Sequence, residues 1–161
     1  MIRIGFGYDM HRLAKDETLV LGGVSIPHEL GTVAHSDGDV VIHALCDALL
    51  GSLKLRDIGF HFPDNDVKFK NIDSTILLKN TYKLIIDKGY SLGNADITIC
   101  AERPKLNPII PDMERILAEC TNSDLSQISI KATTSEKTGF VGREEGIAVY
   151  ATVLVLKTTL S

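Results

Sequence analysis

Three segments of the chain repeat apolar residues at the three- and four-residue spacing of an amphipathic helix. The first is 39–53, whose apolar face is built by Val40, Val41, Ala44, Leu45, Ala48, Leu49 and Leu53. The second is 74–88, with Asp73 or Ser74 as its N-cap and Gly89 as the residue that ends it. The third, 108–120, begins with prolines and then becomes amphipathic.

Alternating or continuous apolar runs predict the strands. Residues 1–9 alternate and form a strand that is expected to end at Asp9, and 19–27 hold two short apolar runs around Gly22-Gly23, which predicts a hairpin. Further strands are predicted at 95–101, 128–132 and 146–157. The last one is apolar on both alternations, so we expect it to be central in the sheet or covered by another subunit.

The order of these elements favours an α+β fold in one domain, 1–161. Helices interleave with strands, but only some connections suit a parallel crossover. We therefore expect a mixed β-sheet with helices packed on one face, a ferredoxin-like or β-α-β type sandwich. Residues 54–73 are polar and irregular, and a loop of this length is usually functional or mobile.

Composition narrows the class of protein. The chain has 161 residues, 44% of them hydrophobic and 24% charged, which is typical of a globular protein. A net charge of −4 without a Lys/Arg block argues against nucleic-acid binding. Three widely spaced cysteines without a C-x-x-C motif indicate neither a disulfide framework nor a cysteine zinc site. Without an N-terminal leader pattern or an apolar run long enough to cross a bilayer, we expect a cytoplasmic protein that does not bind membranes.

The most specific chemical pattern is a candidate zinc site. Asp9 and His11 project to the same side of an extended chain, and His43 on the first helix could supply a third ligand. Two imidazoles and one carboxylate suit Zn²⁺ and leave its fourth position open, as in catalytic sites. Asp39 and Asp47 lie on the same helical stripe as His43 and could orient an imidazole or contact a substrate. The alternative is a chance D-x-H pair beside an ordinary buried histidine.

A second polar cluster lies in the irregular segment 54–73. The stretch DNDVKF, residues 64–69, is not a calcium loop, because Lys68 occupies the third acidic position and no glycine follows. With Asp57, the acidic residues Asp64 and Asp66 could present acceptors to the hydroxyl groups of a small polyol. Ordinary capping of the loop by Asp and Asn explains the same residues.

Two other segments suggest contacts with a phosphate and with a base. Residues 131–146 carry hydroxyl and basic groups at a strand end, where phosphates bind, although no P-loop motif is present. Glu136 fits there if it holds a divalent cation that contacts phosphate oxygens; a solvated charged turn is the alternative. The proline-containing stretch 101–108 could present backbone groups to a base edge or could be a plain loop.

Seven motifs in order resemble those of the 2-C-methyl-D-erythritol 2,4-cyclodiphosphate synthase family of the non-mevalonate isoprenoid pathway. They extend along essentially the entire chain: RIGFGYDMHR, LGGVSIP, AHSDGDVVIHALCDALLG, DIGFHFPDND, FKNIDS, AERPKLNP and KATTSEKTGFVGREEGIA. Chance similarity in seven ordered pieces is very improbable. The resemblance implies a CMP-forming cyclisation of 4-diphosphocytidyl-2-C-methyl-D-erythritol 2-phosphate.

The resemblance also implies the residues of the site. Asp9, His11 and His43 would bind Zn²⁺, and Glu136 would bind Mg²⁺ or Mn²⁺; these four are the implied catalytic residues. The implied contacts to the erythritol part and its phosphate are His35, Ser36, Asp57, Gly59, Phe62, Pro63, Asp64 and Asp66. The implied cytidine pocket consists of Ala101, Pro104, Lys105, Leu106, Ala132, Thr133 and Thr134.

The family resemblance finally implies a homotrimer with active sites between subunits. Phe140, Arg143 and Glu145 would line its central cavity, where an isoprenoid diphosphate could bind. Two other functions stay open at this point. One is a zinc phosphohydrolase, in which Asp39, Asp47 or His35 serves as general acid or base. The other is a non-catalytic trimer that binds isoprenoid diphosphates through Arg143.

Overall fold

A five-stranded mixed sheet carries the helices in the computed structural model, which describes residues 1–63 and 72–158. The strands are β1 (Ile2–Lys15), β2 (Leu19–Leu21), β3 (Val24–Ile26), β4 (Leu30–Thr32), β5 (Tyr90–Cys100), β6 (Ile128–Thr133) and β7 (Gly146–Lys157). The helices are α1 (Val40–Ser52), α2 (Ile58–His61), α3 (Ser74–Asp87), α4 (Ile110–Cys120) and α5 (Gly139–Gly142), with a short 3₁₀ helix at Leu125–Gln127. The sheet order is β4-β1-β7-β5-β6, and β2 with β3 forms a separate hairpin.

The topology confirms a mixed sheet in an α+β fold. β7 lies between β1 and β5 and is antiparallel to both, as expected for a strand that is apolar on both alternations. β5 and β6 are parallel and are joined through α4. The narrower expectation of a ferredoxin-like order was wrong, because α1, α2 and α3 lie between β4 and β5, so that the described elements do not follow the order β-α-β-β-α-β. No helix in the described part of the chain is long and apolar enough to span a membrane.

Strand β1 is longer than its sequence pattern predicts. It does not end at Asp9, because Asp9 and His11 pair with Val149 and Ile147 of β7, and its last residues pair with β4. The predicted start of the next long strand at Ala95 was also wrong. That strand, β5, begins at Tyr90, and an irregularity at Gly93 interrupts its alternation. Within the segment expected to be irregular, residues 58–61 form the short helix α2.

Two glycines bring β1 unusually close to α1. A Cβ atom added at Gly5 would lie 1.8 Å from the carbonyl oxygen of Ala48, and one added at Gly7 would lie 2.0 Å from that of Ala44. Any larger residue would therefore collide with the backbone of the helix. This close packing sets the distance between the side chains of β1 that follow on the same face and the side chains of α1.

The helices cover one face of the sheet and leave apolar side chains on the other. The large exposed residues of this uncovered face are Ile2, Ile4, Phe6, Tyr8 and Met10 of β1, with Tyr150 and Leu156 of β7. Phe6 is 62% exposed, and the rings of Tyr8 and Tyr150 have centroids 5.1 Å apart. A contiguous apolar and aromatic surface of this kind marks an interaction site.

Candidate metal centre and adjoining cavities

Asp9, His11 and His43 lie together where β1 meets α1. Oδ2 of Asp9 is 3.2 Å from Nδ1 of His11 and 3.3 Å from Nδ1 of His43. One ligand atom from each of the three residues falls within 4.8 Å of the others. The sequence-based prediction that these three side chains meet is thereby confirmed.

The three side chains have the electrostatic character of a cation site. Oδ2 of Asp9 and Nδ1 of His11 are buried without a well-formed hydrogen bond. Burial lowers the pKa of His11 although Asp9 opposes the shift. Burial also disfavours the charged form of His43, but the close contact with the carboxylate of Asp9 raises its pKa. The centre therefore concentrates negative charge and nitrogen lone pairs at one point.

The donor set and its spacing fit a divalent cation. With metal–ligand bonds of about 2.0–2.1 Å, tetrahedral geometry separates neighbouring ligand atoms by about 3.3 Å. The two distances from Oδ2 of Asp9 match this value. The residues present can thus hold a metal ion with little rearrangement.

Asp39 and Asp47 have different roles although they share a helical stripe with His43. Asp39 is fully buried; its oxygens accept from the amides of Gly22 (2.9 Å) and Gly23 (2.6 Å) and from two amides in the first turn of α1. It therefore caps α1 and anchors the β2–β3 hairpin, while burial raises its pKa to about 6 against these hydrogen bonds. Asp47 accepts from the amide of Ile58 at 2.7 Å and borders the cavity beside the triad.

A cavity of about 380 Å³ opens at the triad. Four of the predicted substrate contacts line it, namely His35, Ser36, Gly59 and Phe62. Asp57 lies at the N-cap of α2, where it accepts from the amide of Phe60 at 2.8 Å, and exposed Pro63 is not among the lining residues. The predicted contacts Asp64 and Asp66 lie outside the described residues.

A second cavity, also about 380 Å³, lies between the segment after β5 and the end of β6. Its walls include every residue of the predicted cytidine pocket, namely Ala101, Pro104, Lys105, Leu106, Ala132, Thr133 and Thr134. The two cavities have no lining residue in common. One chain therefore presents the metal centre and this pocket as separate sites.

Glu102 joins the two sides of the second cavity, a role that the sequence analysis missed. Its Oε1 accepts from the amide and hydroxyl of Ser135 at 2.9 and 3.2 Å and from the amide of Lys137 at 3.2 Å. Glu136 lies between these residues, has a φ of +54°, and accepts from Oγ1 of Thr134 at 2.9 Å. Because the partners are 33 and 35 residues apart, no local sequence pattern reveals this link.

The residues predicted for a central cavity lie near one end of the uncovered face. Phe140 belongs to α5, and a Cβ atom at Gly146 would meet both its ring and the Met10 methyl group at 3.4 Å. Arg143 forms an ion pair with Glu145 of the same chain at 2.8 Å, and both side chains are exposed. In one chain, then, the Arg143 guanidinium already has an anionic partner.

The fold and the site define a small α+β protein with a two-histidine, one-carboxylate centre at a sheet–helix junction. The sequence model of the YgbB family matches residues 2–156, and the chain belongs to this family. The 2-C-methyl-D-erythritol 2,4-cyclodiphosphate synthase of Bacteroides fragilis is 60% identical over 154 residues, which cover 96% of this chain and 97% of that protein.

Solved structures resemble the whole fold. The bifunctional IspDF from Campylobacter jejuni matches with a TM-score of 0.93 and 44% identity over 96% of this chain; the match covers 42% of that longer chain. IspF of Plasmodium falciparum, solved as a CDP complex, matches with a TM-score of 0.86 and 38% identity, covering 98% of this chain and 97% of that one.

Proposed function

We propose that this protein is a 2-C-methyl-D-erythritol 2,4-cyclodiphosphate synthase, a CMP-forming phosphorus–oxygen lyase of one domain. It converts 4-diphosphocytidyl-2-C-methyl-D-erythritol 2-phosphate into the 2,4-cyclodiphosphate by intramolecular phosphoryl transfer. The observation that carries the proposal is the Asp9–His11–His43 cluster in the wall of a cavity, in a chain 60% identical to a protein of that name.

The chain offers positions for two cations. Asp9, His11 and His43 would hold Zn²⁺, and Glu136 would hold Mg²⁺ or Mn²⁺. Bound cations supply charge neutralisation at the phosphates of the substrate. The buried, poorly paired Oδ2 of Asp9 and Nδ1 of His11 support the first assignment. The second rests on the exposed Glu136 carboxylate beside the cytidine pocket.

The two cavities divide the substrate between them. The erythritol part and its phosphate would bind near the metal centre, through His35, Ser36, Asp57, Gly59, Phe62, Pro63, Asp64 and Asp66. The cytidine would occupy the second cavity, and the P. falciparum relative, solved as a complex with CDP, supports a cytidine nucleotide as the ligand class.

The proposed reaction needs positioning more than proton transfer. The 2-phosphate is anionic near neutral pH and attacks the β-phosphorus without a general base, so the protein's task is to hold the nucleophile in line with the leaving CMP. Orientation of this kind can supply as much as about 7–11 kcal/mol of the barrier.

The complete site is proposed to form between subunits of a homotrimer. The uncovered apolar face of the sheet supports assembly, and the separation of the two cavities supports a site shared by neighbouring chains. Phe140, Arg143 and Glu145 would then border a central cavity that accepts an isoprenoid diphosphate. For Arg143 to bind that anion, its ion pair with Glu145 must open.

A ³¹P NMR time course with the substrate, Zn²⁺ and Mg²⁺ tests the function. We expect CMP and two coupled diphosphate resonances to grow equally, without inorganic phosphate. Inorganic phosphate would indicate a zinc phosphohydrolase, and an unchanged spectrum would leave a trimer that only binds isoprenoid diphosphates.

Variants separate the roles of the proposed ligands. His43→Ala should lose zinc and turnover together, whereas Glu136→Ala should retain zinc and lose turnover. Asp87→Ala is the matched control, because Asp87 is an exposed carboxylate on α3 that pairs with Lys83. Retention of zinc by His43→Ala would contradict the ligand assignment.

A further inference from the structure

Three side chains from separate segments form a hydrogen-bonded chain that ends at the metal centre. Ser74, the first residue of α3, is fully buried, and its Oγ lies 3.1 Å from Nε2 of His43. The same hydroxyl donates to Oδ1 of Asp37, while the backbone amide of Ser74 donates to Oδ2 of Asp37 at 2.8 Å. His43 is thus connected through Ser74 to Asp37.

The protons in this chain fix the tautomer of His43. Oγ of Ser74 donates its single hydroxyl proton to Oδ1 of Asp37. Oγ of Ser74 must then accept from Nε2 of His43, which therefore carries a proton. Nδ1 is left as the nitrogen with the available lone pair, and it is the one that lies 3.3 Å from Oδ2 of Asp9.

The hydroxyl of Ser74 has no competing role in starting its helix. The N-cap of α3 is Asp73, which accepts from the amide of Thr75 at 2.8 Å. Oγ of Ser36 also lies 3.2 Å from Nε2 of His43, but it accepts from the amide of Gly38 and can accept from the imidazole as well. Both hydroxyl contacts are therefore compatible with a protonated Nε2.

We propose that Asp37 and Ser74 are positioning residues of the metal centre. They keep His43 in the Nε2–H tautomer, orient its ring, and leave Nδ1 ready to bind the cation. Partners of this kind typically account for 10–100-fold in metal affinity. The proposal rests on the metal centre assigned above and not on the cyclisation itself.

Zinc affinity measured with Zn²⁺ alone and a competing chromophoric chelator at pH 8 tests the proposal. Ser74→Ala removes the hydroxyl but keeps the hydrogen bond from the backbone amide of residue 74 to Asp37. We expect the zinc affinity of this variant to fall 10–100-fold. Ser52→Ala is the matched control: Ser52 is a buried serine whose Oγ donates to the carbonyl of Leu49 in α1. Its zinc affinity should equal that of the unmodified protein.

Asp37→Asn gives an independent test with nearly the same shape. The amide oxygen can still accept from the Ser74 amide, but its NH₂ group can donate to the Ser74 hydroxyl, which then donates to Nε2. We therefore expect weaker zinc binding. In the metal-free protein, ¹⁵N NMR of the histidines should show that neutral His43 shifts from Nε2–H towards Nδ1–H.

Two results would overturn the proposal. One is an unchanged zinc affinity in Ser74→Ala, or in Asp37→Asn should the serine variant not fold. The other is a neutral His43 already protonated at Nδ1 in the unmodified protein. The readouts separate this inference from the proposed function, because the zinc and tautomer results hold or fail whether or not the protein cyclises the substrate.

Discussion

The close approach of β1 to α1 predicts a severe effect of replacing Gly7 with alanine. The added Cβ would lie 2.0 Å from the carbonyl oxygen of Ala44, whereas real Cβ atoms essentially never come within 3.0 Å of another heavy atom. The strand and helix would have to separate by about 1 Å, the difference between these two distances. Because a backbone oxygen cannot rotate away, we expect a cost at the upper end of the usual overpacking range, about 3 kcal/mol.

The same displacement should weaken metal binding. Asp9 and His11 follow Gly7 on the same face of β1, and His43 belongs to the helix that would move. Metal–ligand distances tolerate only about 0.2 Å of error. We therefore expect Gly7→Ala to lose at least tenfold in zinc affinity, in addition to its loss of free energy of unfolding.

Urea unfolding and chelator competition measure the two effects separately. The matched control is Gly51→Ala in α1, where the nearest atom to the added Cβ is the carbonyl oxygen of Phe6 at 3.9 Å. This control should be stabilised by about 0.5–1 kcal/mol, because alanine is the better helix former. If Gly7→Ala kept both the stability and the zinc affinity of the unmodified protein, the strand–helix contact could not be what sets the geometry of the centre.

Three further perturbations test other parts of the molecule. Burial raises the pKa of Asp39 to about 6 from 3.8, so the folded protein binds this proton more tightly than the unfolded chain. The free energy of unfolding of the unmodified protein, relative to that of Asp39→Asn, should therefore fall by about 2 kcal/mol as the pH rises from 4 to 6. A difference between the two proteins that stays constant over that range in urea denaturation would contradict this. If the proposed homotrimer forms through the uncovered face, Phe6→Arg should lower the sedimenting mass to that of a single chain, while Ile86→Arg, at an exposed site on α3, should leave it unchanged. A Phe6→Arg protein that sediments as a trimer would exclude the uncovered face as the interface. Glu102→Ala should weaken CDP binding about tenfold by calorimetry with zinc affinity unchanged, whereas an unchanged CDP affinity would show that Glu102 does not shape the pocket.

The elements with local chemical signals could be predicted from the sequence. The apolar spacing of α1 is visible without a structure, and so are the cap of α3 at Asp73 and its end at Gly89, which has a φ of +74°. The hairpin around Gly22-Gly23 is also visible in the sequence, since the turn needs positive φ angles and both glycines have them. In each case the neighbouring residues already favour the observed geometry.

Features that depend on distant partners could not be predicted. β1 continues to Lys15 because of its pairing with β7 and β4, and β7 lies at the other end of the chain. The metal triad could be predicted from the sequence because two ligands are two residues apart and the third lies on a regular helix. The contact between Ser74 and His43 joins residues 31 apart, so no periodic pattern in the sequence predicts it. The residues that line the two cavities were predicted from the family resemblance and not from any sequence pattern.

The alternating sides of β1 have a consequence for how this protein can evolve or be engineered. One side of the strand carries Gly5 and Gly7 against the helix, followed by Asp9 and His11 at the metal centre. The other side forms the uncovered apolar face. A library that randomised residues 4–11 of this strand would thus find few neutral positions. Its losses should divide by residue number, with odd positions affecting metal binding and even positions affecting the proposed assembly. Efforts to change substrate preference have more freedom at the walls of the second cavity, which these constraints do not reach.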